Sequence, residues 1–154
     1  MKLKTVVIIF ISVLLGVFAG GYLFSNTQPR SFLMLNKCES RCFNTNEIVG
    51  LLASIGIQKA PHVIPGIVGE TEYSIAFEHP FPQSAVHYVV VPKKDIKDIS
   101  DIGNDEHIFI TDAFNLMRII IEREKLVEYK IVTNGPGVQQ MGYLHFHLMA
   151  EKEF

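Results

Sequence analysis

The stretch Tyr143-Leu144-His145-Phe146-His147-Leu148-Met149-Ala150 alternates reactive polar side chains with apolar ones. Successive side chains of a β-strand point to opposite faces. The alternation therefore predicts a strand over 142–150, with Tyr143, His145 and His147 on one surface and Leu144, Phe146 and Leu148 entering a core. Two imidazoles two positions apart on a rigid strand can divide labour. One can act as nucleophile or base while the other binds an oxyanion or hands on a proton. Taken alone, the stretch also fits a solvated face that carries two histidines.

The flanking segments supply a sheet for this strand. Val86 to Val91 is a β-branched run ended by Pro92, and Val127 to Thr133 reads as another strand. Val63 to Val68 and Glu70 to Phe77 read as a hairpin through Gly69, with Pro65 making the first an edge or broken strand. Between them, Glu106 to Lys125 predicts a long helix with Phe109, Ala113, Leu116, Met117, Ile120 and Ile121 as its apolar stripe. A shorter helix is expected where Asn44 or Thr45 can cap the free N–H groups, with Ile48, Leu51, Leu52 and Ile55 recurring at helical spacing and Gly56 as its stop. Asp95 to Asp105 is a polar connector anchored by Ile96 and Ile99. The fold class is α+β: an antiparallel sheet of about five strands with one long and one short helix, one face of the sheet covered by helix.

The histidine strand resembles the signature of the histidine triad (HIT) family, His-x-His-x-His followed by two apolar residues, with Tyr143 in place of the first histidine. A second block, Phe77-Glu-His79-Pro-Phe-Pro82-Gln83-Ser-Ala-Val-His87-Tyr-Val-Val-Val-Pro92-Lys93-Lys94, is similar to the family segment in which a fourth histidine begins a buried strand closed by Pro-Lys. Tyr129 to Gly137 resembles the strand and Asn-Gly turn that precede the family's histidine strand. The resemblance runs from about Ile75 to Met149.

It implies a nucleotide chemistry. The family's middle histidine attacks the α-phosphorus of a nucleotide, and that position matches His145; a neutral imidazole is nucleophilic near pH 7 and its phosphoramidate is cleaved by water. His147 matches the histidine that contacts phosphate oxygens and assists the leaving group, and His87 the one that supports the triad. Histidine rather than glutamine at 147 leans toward hydrolysis over transfer. Among substrate contacts, Asn134 matches the family asparagine near sugar and phosphate, Gln139 the family glutamine, and Gln140 the place of a hydroxyl that donates to phosphate. His79 stands where nucleoside-binding members carry an aspartate for the ribose hydroxyls. Tyr143 takes the place of an orienting residue behind the nucleophile. Lys93 and Lys94 read as a solvated strand end. No cofactor is implied, and HIT proteins commonly form homodimers.

The N-terminus adds a second theme. Met1-Lys2-Leu3-Lys4 is a short basic start, and Thr5 to Phe24 is free of charge. At 1.5 Å rise per residue the run spans about 30 Å, the hydrocarbon thickness of a bilayer. It reads as a membrane anchor or a secretory signal, for which Val17-Phe18-Ala19 before Gly20 is a candidate cleavage site. Residues 1–24 are thus expected to be the basic start and single-pass anchor or signal, 25–43 an irregular tether containing Pro29, and 44–154 the HIT-like domain. Lys2 and Lys4 favour a domain on the non-cytoplasmic side, although Arg30, Lys37 and Arg41 dilute the asymmetry.

The chain carries 14 Lys and Arg against 16 Asp and Glu, two of the basic residues being Lys2 and Lys4, and it has no basic run, which argues against nucleic acid as a partner. The two cysteines, Cys38 and Cys42, suit a local disulfide or two free thiols. Some HIT proteins have a zinc site that begins C-x-x-C; the C-x-x-x-C spacing here does not carry that metal over.

Two functions follow. The first is a membrane-tethered HIT-like hydrolase cleaving a nucleotidyl phosphoanhydride or phosphoramidate, with a nucleotide or a nucleotide-lipid as substrate; HIT-like CDP-diacylglycerol pyrophosphatases set the precedent for the latter. The second is a catalytically weakened HIT fold that binds nucleotide or a protein partner, with Tyr143 and His79 as its marks. A metal site built on His145, His147 and His87 lacks an acidic or thiol ligand at suitable spacing.

Overall fold

The computed structural model of the chain describes residues 3–34 and 42–151. Helix α1, Leu3–Phe24, has no buried residue and a mean hydropathy of 2.5, and contains no acidic or basic side chain apart from Lys4. Such a helix fits a membrane span or a signal sequence.

Five strands follow: β1 (Ile67–Glu70), β2 (Ser74–Glu78), β3 (Val86–Pro92), β4 (Tyr129–Val132) and β5 (Phe146–Ala150). They form one antiparallel sheet in the order β1-β2-β3-β5-β4. The first hairpin turns at Thr71 to Tyr73, closed by Thr71 N–H to Ser74 O at 2.9 Å, and not at Gly69. Gly69 lies inside β1 opposite Ala76, next to a register shift, and a Cβ there would meet Leu116 Cδ1 at 3.0 Å. The glycine is a close-packing position rather than a turn. Val63, expected to open the first strand, instead ends the 3-10 turn Pro61–Val63, and β1 starts only at Ile67.

The long helix α3, His107–Glu124, lies on one face of the sheet. Its Ala113, Leu116, Met117 and Ile120 pack with Ala76, Val90, Leu144, Phe146 and Leu148 in the main core. Each fully buried Leu or Phe of this cluster stabilises by about 1.5–3 kcal/mol relative to exposure. The helix ends at Lys125, whose left-handed backbone (φ 55°) lets Leu126 N–H reach Ile121 O at 3.0 Å.

The opposite face is not left bare. Helix α2, Thr45–Lys59, sits against it, and Ile57 joins Ile75, Val89, Val91 and Tyr143 in a second core. The buried side of α2 is Gly50, Ser54 and Ile57, whereas Leu52 is 64% exposed, so the stripe expected from Ile48, Leu51, Leu52 and Ile55 is displaced around the helix. Small residues decide this: a Cβ on Gly50 would lie 2.5 Å from Gly142 O. The helix passes through Gly56 and stops before Pro61, and Asn44 occupies the cap position without a side-chain cap bond.

The described part of the expected irregular tether is held to the domain at Gln28 and Arg30. Gln28 N–H donates to Asp95 Oδ2 at 2.9 Å, and the buried Arg30 guanidinium binds Asp95 Oδ1 at 2.5 Å, Glu47 at 3.2 Å and Gly142 O at 2.6 Å. Leu33 and Phe43 then form a bridge, with Met34 N–H to Cys42 O at 2.9 Å. Cys42 is disulfide-bonded; Cys38 lies outside the described residues.

Candidate active site

Pairing of β3 with β5 sets His87 opposite Met149 and Val89 opposite His147, and pairing of β4 with β5 sets Val132 opposite His147. Paired residues share a face, so His87 and His147 are diagonal neighbours on the face that carries α2. The ladder of β5 begins only at Phe146; the strand expected over 142–150 is shorter because Leu144 N–H turns to Ile96 O at 2.6 Å and Tyr143 N–H to Met141 O at 2.8 Å. Side-chain alternation nonetheless persists: Leu144 enters the α3 core with Phe146 and Leu148, while Tyr143 lies in the α2 core on the histidine side.

The imidazoles form a directed network. Gln83 N–H donates to His87 Nδ1 at 3.1 Å, which places the His87 proton on Nε2. That Nε2–H faces His147 Nδ1 at 2.9 Å, leaving His147 its proton on Nε2. His145 differs: its Nδ1 lies 2.7 Å from the Tyr143 carbonyl, which can only accept, so Nδ1 carries the proton and Nε2 keeps a lone pair. His145 is 7% exposed and its ring stands edge-on to His147, centroids 4.9 Å apart.

Burial keeps these rings neutral. It holds His145 and His87 below the usual imidazole value, with His79 adding repulsion at each and Lys130 at His87. Burial and the three other histidines together bring His147 down to about 4. At pH 7 His145 is therefore a neutral ring with a lone pair on Nε2, and His147 a neutral ring that can donate from Nε2.

These rings border a cavity of about 940 Å³. His79, His87, His145, His147, Asn134 and Gln140, all singled out in the sequence, line it together. Two expected substrate contacts do not. Tyr143 is 0% exposed and its hydroxyl donates to Pro92 O at 2.6 Å, so it is a buried strut that cannot touch substrate. Gln139 is turned inward by the bonds of Val138 and Gln139 N–H to Gly135 O; its side-chain Nε2 donates to Lys97 O at 3.3 Å and its backbone carbonyl accepts from Asn46 Nδ2 at 3.1 Å. It ties α2 to the connector after β3.

Three contributors were missed. Lys130 lines the cavity from β4, and the alternation of Lys130 and Val132 about Ile131 was a usable signal once the strand's partner was known. Phe81, 80% exposed, stands at the cavity in the β2–β3 loop. Val49, Ala53 and Ile57 of α2 supply an apolar wall that helical spacing alone had turned outward.

His79, His87 and His147 bring nitrogens within 4.8 Å of one another. Metal-binding imidazoles present one lone pair and donate the other N–H to an acceptor. Here Nδ1 of His79 and of His87 each accept a backbone N–H, from Phe81 at 3.0 Å and Gln83 at 3.1 Å, which puts protons on the Nε2 atoms a cation would need. The trio is set up to donate hydrogen bonds.

Fold and site thus define a cluster of four imidazoles at a cavity on an open antiparallel sheet, and the comparisons give the family. The HIT domain family matches residues 62–154, and the chain belongs to it. A HIT-like protein of Chlamydia pneumoniae is 34% identical over 85 residues, covering 53% of this chain and 77% of the relative. The adenosine 5'-monophosphoramidase of Saccharomyces cerevisiae is 29% identical over 86 residues, 54% of this chain and 52% of that protein. The HIT family hydrolase of Legionella pneumophila superposes with a TM-score of 0.56 at 27% identity, over 63% of this chain and 91% of that one.

Proposed function

We propose that the protein is a HIT-type hydrolase, held at a membrane by α1, that cleaves a nucleotidyl phosphoanhydride or phosphoramidate with His145 Nε2 as nucleophile. The observation that carries this reading is the 2.7 Å bond from His145 Nδ1–H to the Tyr143 carbonyl, which leaves Nε2 with a lone pair in a cavity of nucleotide size. Nε2 attacks phosphorus, the Nε2–P bond forms, and the scissile bond breaks with its electron pair leaving on the departing group. The phosphorylated ring is cationic, and its Nδ1–H stays on the Tyr143 carbonyl. Water then attacks phosphorus, the N–P bond breaks, and His145 returns neutral while the water proton goes to the departed group or to solvent. His147 Nε2–H donates to the oxygens that gain charge.

Because the orienting contact is a backbone carbonyl, tyrosine at 143 preserves it. This favours the enzyme over the weakened binding module.

A membrane-borne substrate such as a nucleotide-lipid is supported by the placement of α2, which walls the cavity and also docks on the end of α1. The Lys59 ammonium sits 4.7 Å from the Tyr22 ring centroid, and Gln58 Nε2 donates to Asn26 O at 3.4 Å. In this reading the basic start stays in the cytoplasm and the domain lies outside.

The test is to incubate the full chain in detergent with nucleotides, nucleotide-lipids and nucleoside phosphoramidates and follow products by mass spectrometry. Turnover in the wild type that survives in His145→Ala would sink the nucleophile assignment. Protease added to intact spheroplasts should degrade the domain; protection until lysis reverses the topology.

A further inference from the structure

Attack on phosphorus leaves one histidine of the cavity unused. His79, in the β2–β3 loop, stacks on His87 with ring centroids 4.1 Å apart and planes within 9° of parallel, and its centroid lies 5.5 Å from that of His147. Its Nδ1 accepts the Phe81 N–H at 3.0 Å. A neutral imidazole whose Nδ1 is an acceptor carries its proton on Nε2, so His79 can donate from that atom but has no lone pair to offer there. His147 is in the same condition through its bond from His87. Lys130 adds an ammonium to the cavity wall. No Asp or Glu lines the cavity among the described residues. Two N–H donors and a cation, with no carboxylate to repel a ligand, are a receptor for anionic oxygens.

We propose that His79 and Lys130 form a subsite for a second phosphate of the substrate, beside the phosphorus that His145 attacks, so that the bond cleaved is a phosphoanhydride. This rests on the reading of His145 as the nucleophile and chooses between the two bond types it allowed. The leaving group gives the chemical reason. When the anhydride P–O bond breaks, its electron pair leaves with the second phosphate, a stable anion at neutral pH that needs no proton. An amine leaving from a phosphoramidate must gain a proton as the P–N bond breaks. His147 holds a single proton on Nε2 with Nδ1 already engaged, and giving it up would leave an imidazolate. The histidines therefore stabilise a departing anion by hydrogen bonds better than they protonate a departing amine.

The experiment has a binding arm and a turnover arm, both on the full chain in detergent micelles. In calorimetric titrations, inorganic pyrophosphate should bind about 10-fold more tightly than inorganic phosphate, one additional charge-assisted hydrogen bond's worth. His79→Phe keeps a stacking ring and removes the donor; it and Lys130→Met should each weaken pyrophosphate about 10-fold and phosphate much less. His79→Asp should weaken pyrophosphate further by adding a like charge. In the turnover arm, a nucleoside diphosphate ester should be cleaved faster than the matched nucleoside phosphoramidate, and His79→Phe should raise KM for the anhydride more than it lowers kcat. Unchanged pyrophosphate affinity in all three variants, or faster cleavage of the phosphoramidate, overturns the subsite. Because the binding arm needs no turnover, a failed subsite and a failed nucleophile are told apart: full activity in His145→Ala with pyrophosphate binding intact removes only the nucleophile.

Discussion

The ring of His145 is held by the backbone of Tyr143, Nδ1–H to carbonyl oxygen at 2.7 Å, while the Tyr143 side chain points away and bonds to Pro92 O at 2.6 Å. Two functions of one residue are thereby separated. The main chain orients the His145 ring, and the side chain fastens the loop to the end of β3.

Tyr143→Phe tests this separation. It leaves the Pro92 carbonyl buried without its partner and should cost about 1–3 kcal/mol of stability in urea unfolding. Turnover under native conditions should fall by less than about 10-fold, since the orienting carbonyl remains. A loss as deep as that of His145→Ala would show that the hydroxyl takes part in the chemistry.

His145→Ala should reduce turnover by at least about 1000-fold, because no other imidazole in the cavity presents a lone pair at Nε2. Rapid-quench mass spectrometry on wild type should find one nucleotidyl adduct, located on His145 in a peptide digest. An adduct on His147 or His79 would reassign the nucleophile.

Acid should weaken the protein before it stops the chemistry. The folded-state value of His147 is about 4 against its ordinary 6.5, so between these pH values the unfolded chain binds the additional proton. Stability from this ring is complete above about 6.5 and declines as pH falls toward 4. His145 and His87 are shifted the same way by burial and add to the trend. Urea midpoints should be lower at pH 5 than at pH 7.5, and His147→Asn should flatten the difference. Turnover should hold as pH drops through 6.5, because the folded rings stay neutral there.

Removing Arg30 strands the buried Asp95 carboxylate, whereas Arg30 without Asp95 keeps Glu47 at 3.2 Å. Arg30→Met should cost about 3–5 kcal/mol, and Arg30→Met together with Asp95→Leu much less. By the same reasoning a soluble form beginning at residue 26 should fold more stably than one beginning at 44, measured by thermal unfolding. Equal stability of the two would return residues 25–43 to the role of a passive tether.

The local pattern of the chain determined a good deal. Period-2 alternation over Leu144, Phe146 and Leu148 and the helical stripe of Ala113, Leu116, Met117 and Ile120 each name one core, because the faces of a strand or helix are fixed by backbone geometry. The charge-free Thr5 to Phe24 run fixed α1 for the same kind of local reason. His87, His145 and His147 were legible as a group through the resemblance of their flanking blocks, and the structure brings them together.

Tertiary structure alone decided the rest. Which side of α2 turns inward depends on how closely Gly50 can approach Gly142, a contact between residues 92 positions apart. The burial of Tyr143 and Gln139 depends on partners at Pro92, Lys97 and Asn46, and the role of Arg30 on Asp95. Lys130 reaches the cavity only through the register of β4 on β5. The proton positions that leave His145 a lone pair on Nε2 and give His79 an N–H there follow from backbone groups that only the folded loops place against each ring. Residue type supplies an imidazole, but its chemistry is set by which nitrogen the fold leaves free.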